Sequence, residues 1–296
     1  MTSSFTKSIT LRKQVTMDDV EFGHLRDFIY EKCGIYIPDN RKYLLENRLL
    51  NRLRFFGLRT FGEYFYFLKS DQGGKTELQA LFEVITTNET SFYRNPAQLK
   101  VLENGLLKSV MDEQLKKGSR DIHIWSAGCS TGEEPYTLEI ILHEILNAQR
   151  SLWNITIMAG DLSEAVLASA ARGEYTEYAL RTTPKAIIAR YFTPIGNGRY
   201  RRYLINPEIK KHISFHQINL NDRAQLRNIR RSHIIFCRNV LIYFDEAMKK
   251  RVISSFYDNL LPGGYLFIGH SESLHNISRV FKPIHYPSAI VYRKEG

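Results

Sequence analysis

From about Arg120 onward, short apolar runs alternate with helical stretches, and no other feature of the chain narrows its possible folds so far. Ile122-His123-Ile124-Trp125 reads as a strand, followed by a Gly/Ser loop and a helix from about Glu133 to Ala148. Ile155 to Ala159 is a second strand, with Ser163 to Arg172 as its helix. Ile234 to Cys237, a helix from Asp245 to Leu260, and Tyr265 to Ile268 repeat the pattern. Strand–helix alternation of this kind predicts a parallel, doubly wound α/β sheet. Between Tyr191 and Leu220 it breaks at Gly196-Asn197-Gly198 and Asn206-Pro207, which predicts an inserted antiparallel subdomain at about 191–217.

The first hundred residues show no strand-like alternation. Asp18 to Lys32 carries Phe22, Leu25, Phe28 and Ile29 at helical spacing, with Gly34 as a stop signal. Pro38-Asp39-Asn40 opens a second helix that runs to Phe56 and ends at Gly57. A third spans Thr60 to Ser70; Asp71 to Lys75 reads as a loop, and Glu77 to Ile85 as a fourth helix. The expected organisation is an all-helical domain over 1–95, a linking helix over 96–120 and an α/β domain over 121–296. A chain of 296 residues suits two domains.

Composition excludes several classes. No apolar run approaches the ~18 residues of a membrane span, and Met1 to Lys7 lacks a signal-peptide stretch, so a cytoplasmic protein is expected. Three cysteines, Cys33, Cys129 and Cys237, are far apart and form no Cys-x-x-Cys pair, which fits a reducing compartment. His212 and His216 flank an apparent strand, and no tetrahedral ligand set can be assembled from sequence neighbours, so no metal is expected. Forty-one Lys and Arg against 31 Asp and Glu leave +10, which favours an anionic partner: nucleic acid, a membrane surface or an acidic protein.

The strongest local signal runs from Trp125 to Tyr136, Trp-Ser-Ala-Gly-Cys-Ser-Thr-Gly-Glu-Glu-Pro-Tyr. A strand enters a small-residue loop at Gly128, and a helix then starts with two carboxylates. Small residues admit a ligand close to the backbone, and a helix N-terminus offers free N–H groups. The acidic pair Glu133-Glu134 would repel a pyrophosphate and suits a cationic group such as an α-ammonium; the same pair also fits an ordinary acidic first turn. Asp161 ends the second strand, where an acid of a doubly wound sheet accepts ribose hydroxyls; it reads equally as an N-cap for the next helix. Loop and acid together suggest a nucleoside with an amino-acid tail, S-adenosylmethionine.

Two further segments complete a pattern. Thr86-Thr87-Asn88-Glu89-Thr90-Ser91-Phe92-Tyr93-Arg94 precedes the α/β domain, and Phe236-Cys237-Arg238-Asn239-Val240-Leu241-Ile242-Tyr243-Phe244 ends a later strand. With Ser130 to Tyr136 and Gly269-His270-Ser271-Glu272-Ser273, the chain closely resembles the CheR family of chemotaxis receptor glutamate methyltransferases over about residues 17–293.

The resemblance implies a small helical domain joined to a Rossmann-like, doubly wound methyltransferase domain with an inserted antiparallel subdomain. It implies S-adenosyl-L-methionine as methyl donor and S-adenosyl-L-homocysteine as product. Asn88, Thr90 and Arg94 match the motif lining the cofactor pocket. Glu134 matches the acid that meets the methionine ammonium, and Asp161 the ribose acid. Asn219-Leu220 and Arg238-Asn239 match segments that approach the adenosine and the sulfonium. Arg94 and Tyr243 fall where the family places groups near the transferred methyl.

A glutamate side chain, with an ordinary pKa near ~4.3, is already ionised at neutral pH and needs no general base. Exclusion of water and in-line alignment at about 3 Å remain for the protein to supply. Arg94 is expected to orient the incoming carboxylate by charge-assisted hydrogen bonds, with the Tyr243 hydroxyl in the same region. From 41 to 60 there are six basic residues against Glu46 alone. Arg41, Arg48 and Arg52 fall along one edge and Lys42, Arg54 and Arg59 add to its charge; in this family that domain faces the acidic receptor coiled coil, and a solvated helix face is the plainer reading.

Two alternatives differ in class. A nucleic-acid methyltransferase acting on base amines carries an Asn/Asp-Pro-Pro-aromatic loop, whereas this chain has Arg238-Asn239-Val240-Leu241 without proline. A cofactor-binding adaptor or sensor would be expected to have lost Arg94, Glu134, Asp161 or Tyr243, and all four are present. Whether Arg199, Arg201 and Arg202 in the insertion form a tether for a receptor peptide is left open. No heptad run is legible, so a monomer is expected.

Overall fold

Helical periodicity in the first hundred residues becomes four helices: α1 (Asp19–Cys33), α2 (Lys42–Phe56), α3 (Phe61–Lys69) and α4 (Gly74–Ile85). The structure, a computed structural model, describes residues 15–71, 74–287 and 289–295. Met1 to Lys7 and the Gln72-Gly73 part of the expected loop lie outside the described residues. Two compact units result, one from residues up to Phe28 with Ile37–Ile85, the other from Ile29–Tyr36 with Thr86 onward.

In the helical unit, Leu45, Leu49 and Leu53 recur every four residues and bury one face of α2. Gly57 ends α2 at φ 68°, a left-handed position that suits glycine, and the Thr60 hydroxyl caps α3 by accepting from Glu63 N. α4 packs against α2 and α3. Its Glu77 is buried and accepts from Arg52 Nε at 2.9 Å, from Arg52 Nη2 and from the Tyr64 hydroxyl. A buried charge needs such partners. Arg48 Nη1 donates to the Ile85 carbonyl. Two members of the expected basic edge, Arg48 and Arg52, are thus engaged inside their own unit, while Arg41 and Arg54 are exposed.

The α/β unit adds α5 (Pro96–Val101), α6 (Leu107–Lys116), α7 (Glu133–Leu146), α8 (Glu164–Arg172), α9 (Lys185–Tyr191), α10 (Pro207–Lys210), α11 (Arg223–Arg227) and α12 (Glu246–Asn259). Its strands are β1 (Asp121–Ala127), β2 (Asn154–Asp161), β3 (Glu174–Tyr175), β4 (Phe192–Ile195), β5 (Arg202–Ile205), β6 (Ile213–Gln217), β7 (Ser232–Cys237), β8 (Leu260–Ile268), β9 (Phe281–Tyr286) and β10 (Ala289–Lys294). The main sheet has the order β6-β2-β1-β7-β8-β10-β9, and β3-β5-β4 form a separate antiparallel sheet. From β6 to β8 the pairing is parallel; β10 and β9 close the edge antiparallel. Central strands β1 and β7 are buried nearly throughout, as a sheet covered on both faces requires.

The doubly wound α/β fold with a small antiparallel sheet is as expected, and three details differ. Residues 213–217 do not belong to the antiparallel excursion: they pair parallel with β2, and the small sheet starts earlier, at Glu174. Residues 96–116 are no spacer, because Leu99, Leu102, Leu106, Leu107 and Val110 join the α/β core. The β9–β10 hairpin was not anticipated.

His233 on β7 lies beside His123 on β1, where its Nδ1 accepts from His123 N at 3.0 Å. Burial, with His123, Lys117 and Arg230 nearby, pushes its pKa down to about 4. A histidine held neutral in the fold contributes stability that is complete above its ordinary value near ~6.5 and is lost as pH falls through the folded value. Urea midpoints should fall between pH 6.5 and 4. His233→Asn keeps an acceptor without the titration, so its profile should be flatter; an unchanged slope would contradict this role.

Candidate functional site

The strand order reverses at β1, with β2 on one side and β7 on the other, so the loops after these strands diverge and leave a crevice at their carboxyl ends. A cavity of about 340 Å³ occupies it. Its walls come from 33–35, 86–94, the loop after β1, the ends of β2 and β6, and the loop after β7.

The loop after β1 is folded back onto β2. Gly128 N and Cys129 N both donate to the Gly160 carbonyl, at 2.8 and 2.9 Å. Gly128 has φ +77°, and a Cβ there would stand 2.4 Å from Val240 Cγ2. The position therefore requires glycine both for its backbone and for the close approach of the β7 loop. Gly128→Ala is expected to cost about 2–4 kcal/mol, from the left-handed strain and overpacking together. Pairing it with Val240→Ala should relieve only the overpacking; urea titration of both variants checks the split.

Asp161 Oδ2 accepts from Ser130 N at 2.8 Å and Oδ1 from Ser163 N at 3.1 Å. Burial pushes its carboxyl pKa up, and these N–H groups pull it back. Ser163, not Asp161, caps α8, through Val166 N. Asp161 lines the cavity. The acidic pair separates. Glu133 is buried and accepts from the Thr131 hydroxyl at 2.7 Å, whereas Glu134 lines the cavity. Glu134 Oε1 accepts from the Ser126 hydroxyl at 2.8 Å, and Oε2 pairs with Arg238 Nη1 at 3.1 Å.

Asn88, Thr90, Arg94, Leu220, Asn239 and Tyr243 all reach the wall. Arg238 and Asn219 reach it too, but their polar groups are turned to internal tasks. Arg238 donates from Nε to Gln98 Oε1 at 2.8 Å, from Nη1 to Glu134 and from Nη2 to the Arg94 carbonyl. Asn219 donates from Nδ2 to the Lys32 carbonyl at 2.7 Å and accepts from Asn221 N at 3.0 Å, which secures the approach to Cys33 and Ile35. Tyr243 donates its hydroxyl to the Thr87 carbonyl at 3.0 Å. Arg94 Nη1 donates to the Glu89 carbonyl at 2.7 Å, and among the described residues its guanidinium makes no ion pair.

Sequence reading missed Cys33, Ile35 and Gln98. Cys33 is the last residue of α1, Ile35 lies just past it, and Gln98 is a polar residue inside a helix; nothing local marks any of them. Among the described residues, Glu139, His143 and His212 bring ligand-type atoms within 4.8 Å of one another. Sequence neighbours did not reveal this group, because His212 comes from before β6. Arg150 Nε and Nη2 already meet Glu139 Oε1, at 3.2 and 2.9 Å, so the buried carboxylate is matched by a guanidinium. The group is an ion pair flanked by histidines.

Among the described residues, three buried polar atoms in the cavity wall lack a protein partner: Trp125 Nε1, Ser130 Oγ and Asn239 Oδ1. Buried polar atoms are rarely left unpaired, so the wall is built to meet a polar ligand. Acids at the ends of β2 and α7, a glycine-bearing loop between them and these orphaned atoms suit the hydroxyls, ammonium and base of S-adenosylmethionine. Fold and site together define an S-adenosylmethionine-dependent methyltransferase.

Comparison with known proteins specifies the family. The model of the CheR methyltransferase all-alpha domain matches residues 20–86, and that of the CheR methyltransferase SAM binding domain matches residues 88–290. The chain belongs to the CheR methyltransferase family. Chemotaxis protein methyltransferase 2 of Vibrio cholerae is 35% identical over 282 residues, 95% of each chain. The chemotaxis protein methyltransferase of Borreliella burgdorferi is 33% identical over 284 residues, 96% of each. Chemotaxis protein methyltransferase 1 of Pseudomonas aeruginosa is 32% identical over 278 residues, 93% of this chain and 98% of that one. Among solved structures, magnesium protoporphyrin IX methyltransferase from Synechocystis with bound SAM aligns at TM-score 0.35 and 13% identity, over 77% of this chain and 96% of that one. That likeness is too loose to add to the argument.

Proposed function

We propose that this enzyme esterifies glutamate side chains on the cytoplasmic region of chemoreceptors, as part of chemosensory adaptation. The observation that carries this reading is Arg94, a guanidinium on the cavity wall with no carboxylate partner among the described residues. S-adenosylmethionine, when bound, supplies an activated methyl group on a sulfonium. Asp161, Glu134, Ser130 and Asn239 are the groups that would hold it. Arg94 receives the incoming carboxylate through its remaining N–H groups and turns one oxygen toward the cofactor. Tyr243, whose hydroxyl donates a hydrogen bond to the Thr87 carbonyl, stands nearby and secures the 86–94 segment. No general base is required, because a glutamate is already ionised at neutral pH.

The helical unit offers the docking surface for an acidic coiled coil in this reading. With Arg48 and Arg52 engaged internally, the exposed Arg41, Arg54 and Arg59 are the groups that meet it. Among the described residues no helix is long and apolar enough to cross a membrane, which accords with an enzyme that visits receptors from the cytoplasm.

The test is transfer of labelled methyl from S-adenosylmethionine to receptor-containing membranes, followed by mild base. Release of volatile labelled methanol is expected, because a carboxyl ester is base-labile. Label that survives base would point to an amine or nucleic-acid acceptor. Cofactor binding without any labelled receptor would favour an adaptor or sensor.

A further inference from the structure

We propose that Glu272 is a positioning residue of the methyl-transfer site, its carboxylate holding the β7 loop in the shape that presents Asn239 and Tyr243 to the cofactor cavity. Glu272 does not line the cavity and stands outside the machinery described above. It lies in the loop after β8, the strand next to β7. Its Oε2 accepts from Gly269 N at 2.5 Å and from Asn239 N at 3.2 Å, and its Oε1 accepts from Ile242 N at 3.2 Å. One side chain thereby joins the loops that leave two adjacent strands. Burial pushes the carboxyl pKa up, and the surrounding backbone N–H groups draw it back.

The local backbone is shaped around this contact. A Cβ at Gly269 would stand 2.6 Å from Glu272 Oε2 and 3.0 Å from Asn239 N, so glycine lets the acid reach both loops. Asn239 has φ 61°, a left-handed conformation for a residue with a side chain. Such backbone persists only where its surroundings over-determine it, and the bond from its own N–H to Glu272 supplies that constraint. The conformation leaves Asn239 Oδ1 buried at the cavity wall without a partner among the described residues. At the far end of the loop, Tyr243 N donates to the Val240 carbonyl at 3.1 Å, and the Tyr243 hydroxyl reaches Thr87. Val240 between them packs over Gly128. Displacing this loop therefore disturbs three walls of the cavity together.

The inference rests on the cavity being the cofactor site and not on which acceptor is methylated. It is tested by titrating S-adenosylhomocysteine into the full-length protein calorimetrically, without acceptor, for Glu272→Ala and Glu272→Gln. Glutamine keeps one acceptor oxygen but turns an amide N–H toward a backbone N–H, so it restores the clamp only in part. The dissociation constant should rise at least tenfold in Glu272→Ala and by less in Glu272→Gln. The KM for S-adenosylmethionine should rise in parallel. Glu113→Gln, which removes an ion pair to Arg293 away from the cavity, should leave the affinity unchanged. Two results would overturn the proposal: folded variants that bind within twofold of the parent, or a loss accounted for entirely by a smaller folded fraction. A failure of the methyl-ester assay leaves this titration interpretable.

Discussion

Replacing Arg150 by leucine is expected to remove about 3–5 kcal/mol from the stability of the α/β unit, an unusually large effect for one substitution. Glu139, on α7, is 0% exposed, and Arg150 is 6% exposed. Beyond its two bonds to Glu139, the guanidinium donates to the Trp153 carbonyl at 3.3 Å and the Ile155 carbonyl at 3.2 Å, tying the connection between α7 and β2. Leucine leaves an uncompensated carboxylate in the interior and two carbonyls short of a donor. His143 Nε2, 3.4 Å from Glu139 Oε1, and His212 are nearby, and a neutral imidazole is a poor substitute for a guanidinium. The double variant Glu139→Leu/Arg150→Leu should recover most of the loss, because removing both members of a buried pair exchanges ion pairing for apolar packing. Urea denaturation of parent, single and double variants measures both quantities. A single-variant cost below about 1 kcal/mol would mean that water or the histidines satisfy Glu139 without Arg150.

What could be read from the sequence divides along the line between local and non-local information. β1 and β7 were legible as short, mostly apolar runs buried nearly throughout, β2 as the apolar stretch Ile155 to Ala159, and α7 because a small-residue loop and two acids announce its start. β9 carries Lys282, Pro283 and His285 facing outward, and an edge strand with so weak a pattern has no local signature. β6 was assigned to the wrong sheet because a run such as Ile213 to Gln217 says that it is a strand and nothing about its partner. The helices over 96–116 show an apolar face without saying what covers it. Within the site, Asp161 and Glu134 were readable because strand ends and helix starts fix where side chains point. Arg238 and Asn219 carried no sign that their polar groups face Gln98 and Lys32, 140 and 187 residues away. The basic edge of α2 has the same origin: charge spacing could not show that Arg52 meets a buried Glu77, 25 residues along.

Arg94→Ala is expected to lower methyl transfer by roughly 10- to 100-fold, the loss of a charge-assisted hydrogen bond to the acceptor at about 1.5–3 kcal/mol. The affinity for S-adenosylhomocysteine should change little. The prediction is sharp because the two halves of this residue do different things. Its main-chain carbonyl accepts from Arg238 Nη2, a bond that survives any side-chain replacement and keeps the 86–94 segment against the cavity. Among the described residues its side chain makes one hydrogen bond, to the Glu89 carbonyl. Truncation therefore removes a donor from the cavity and one local bond to Glu89, while the main-chain bond to Arg238 stays. Arg94→Lys keeps the charge but not the planar fork, so it should restore part of the rate and leave the carboxylate less well aligned. Acceptor kinetics and calorimetric titration of S-adenosylhomocysteine on the same preparations separate the roles. A rate loss with intact product affinity places Arg94 on the acceptor side of the cavity. Equal losses in both would place it in the cofactor cradle and leave the acceptor carboxylate to be oriented by another group.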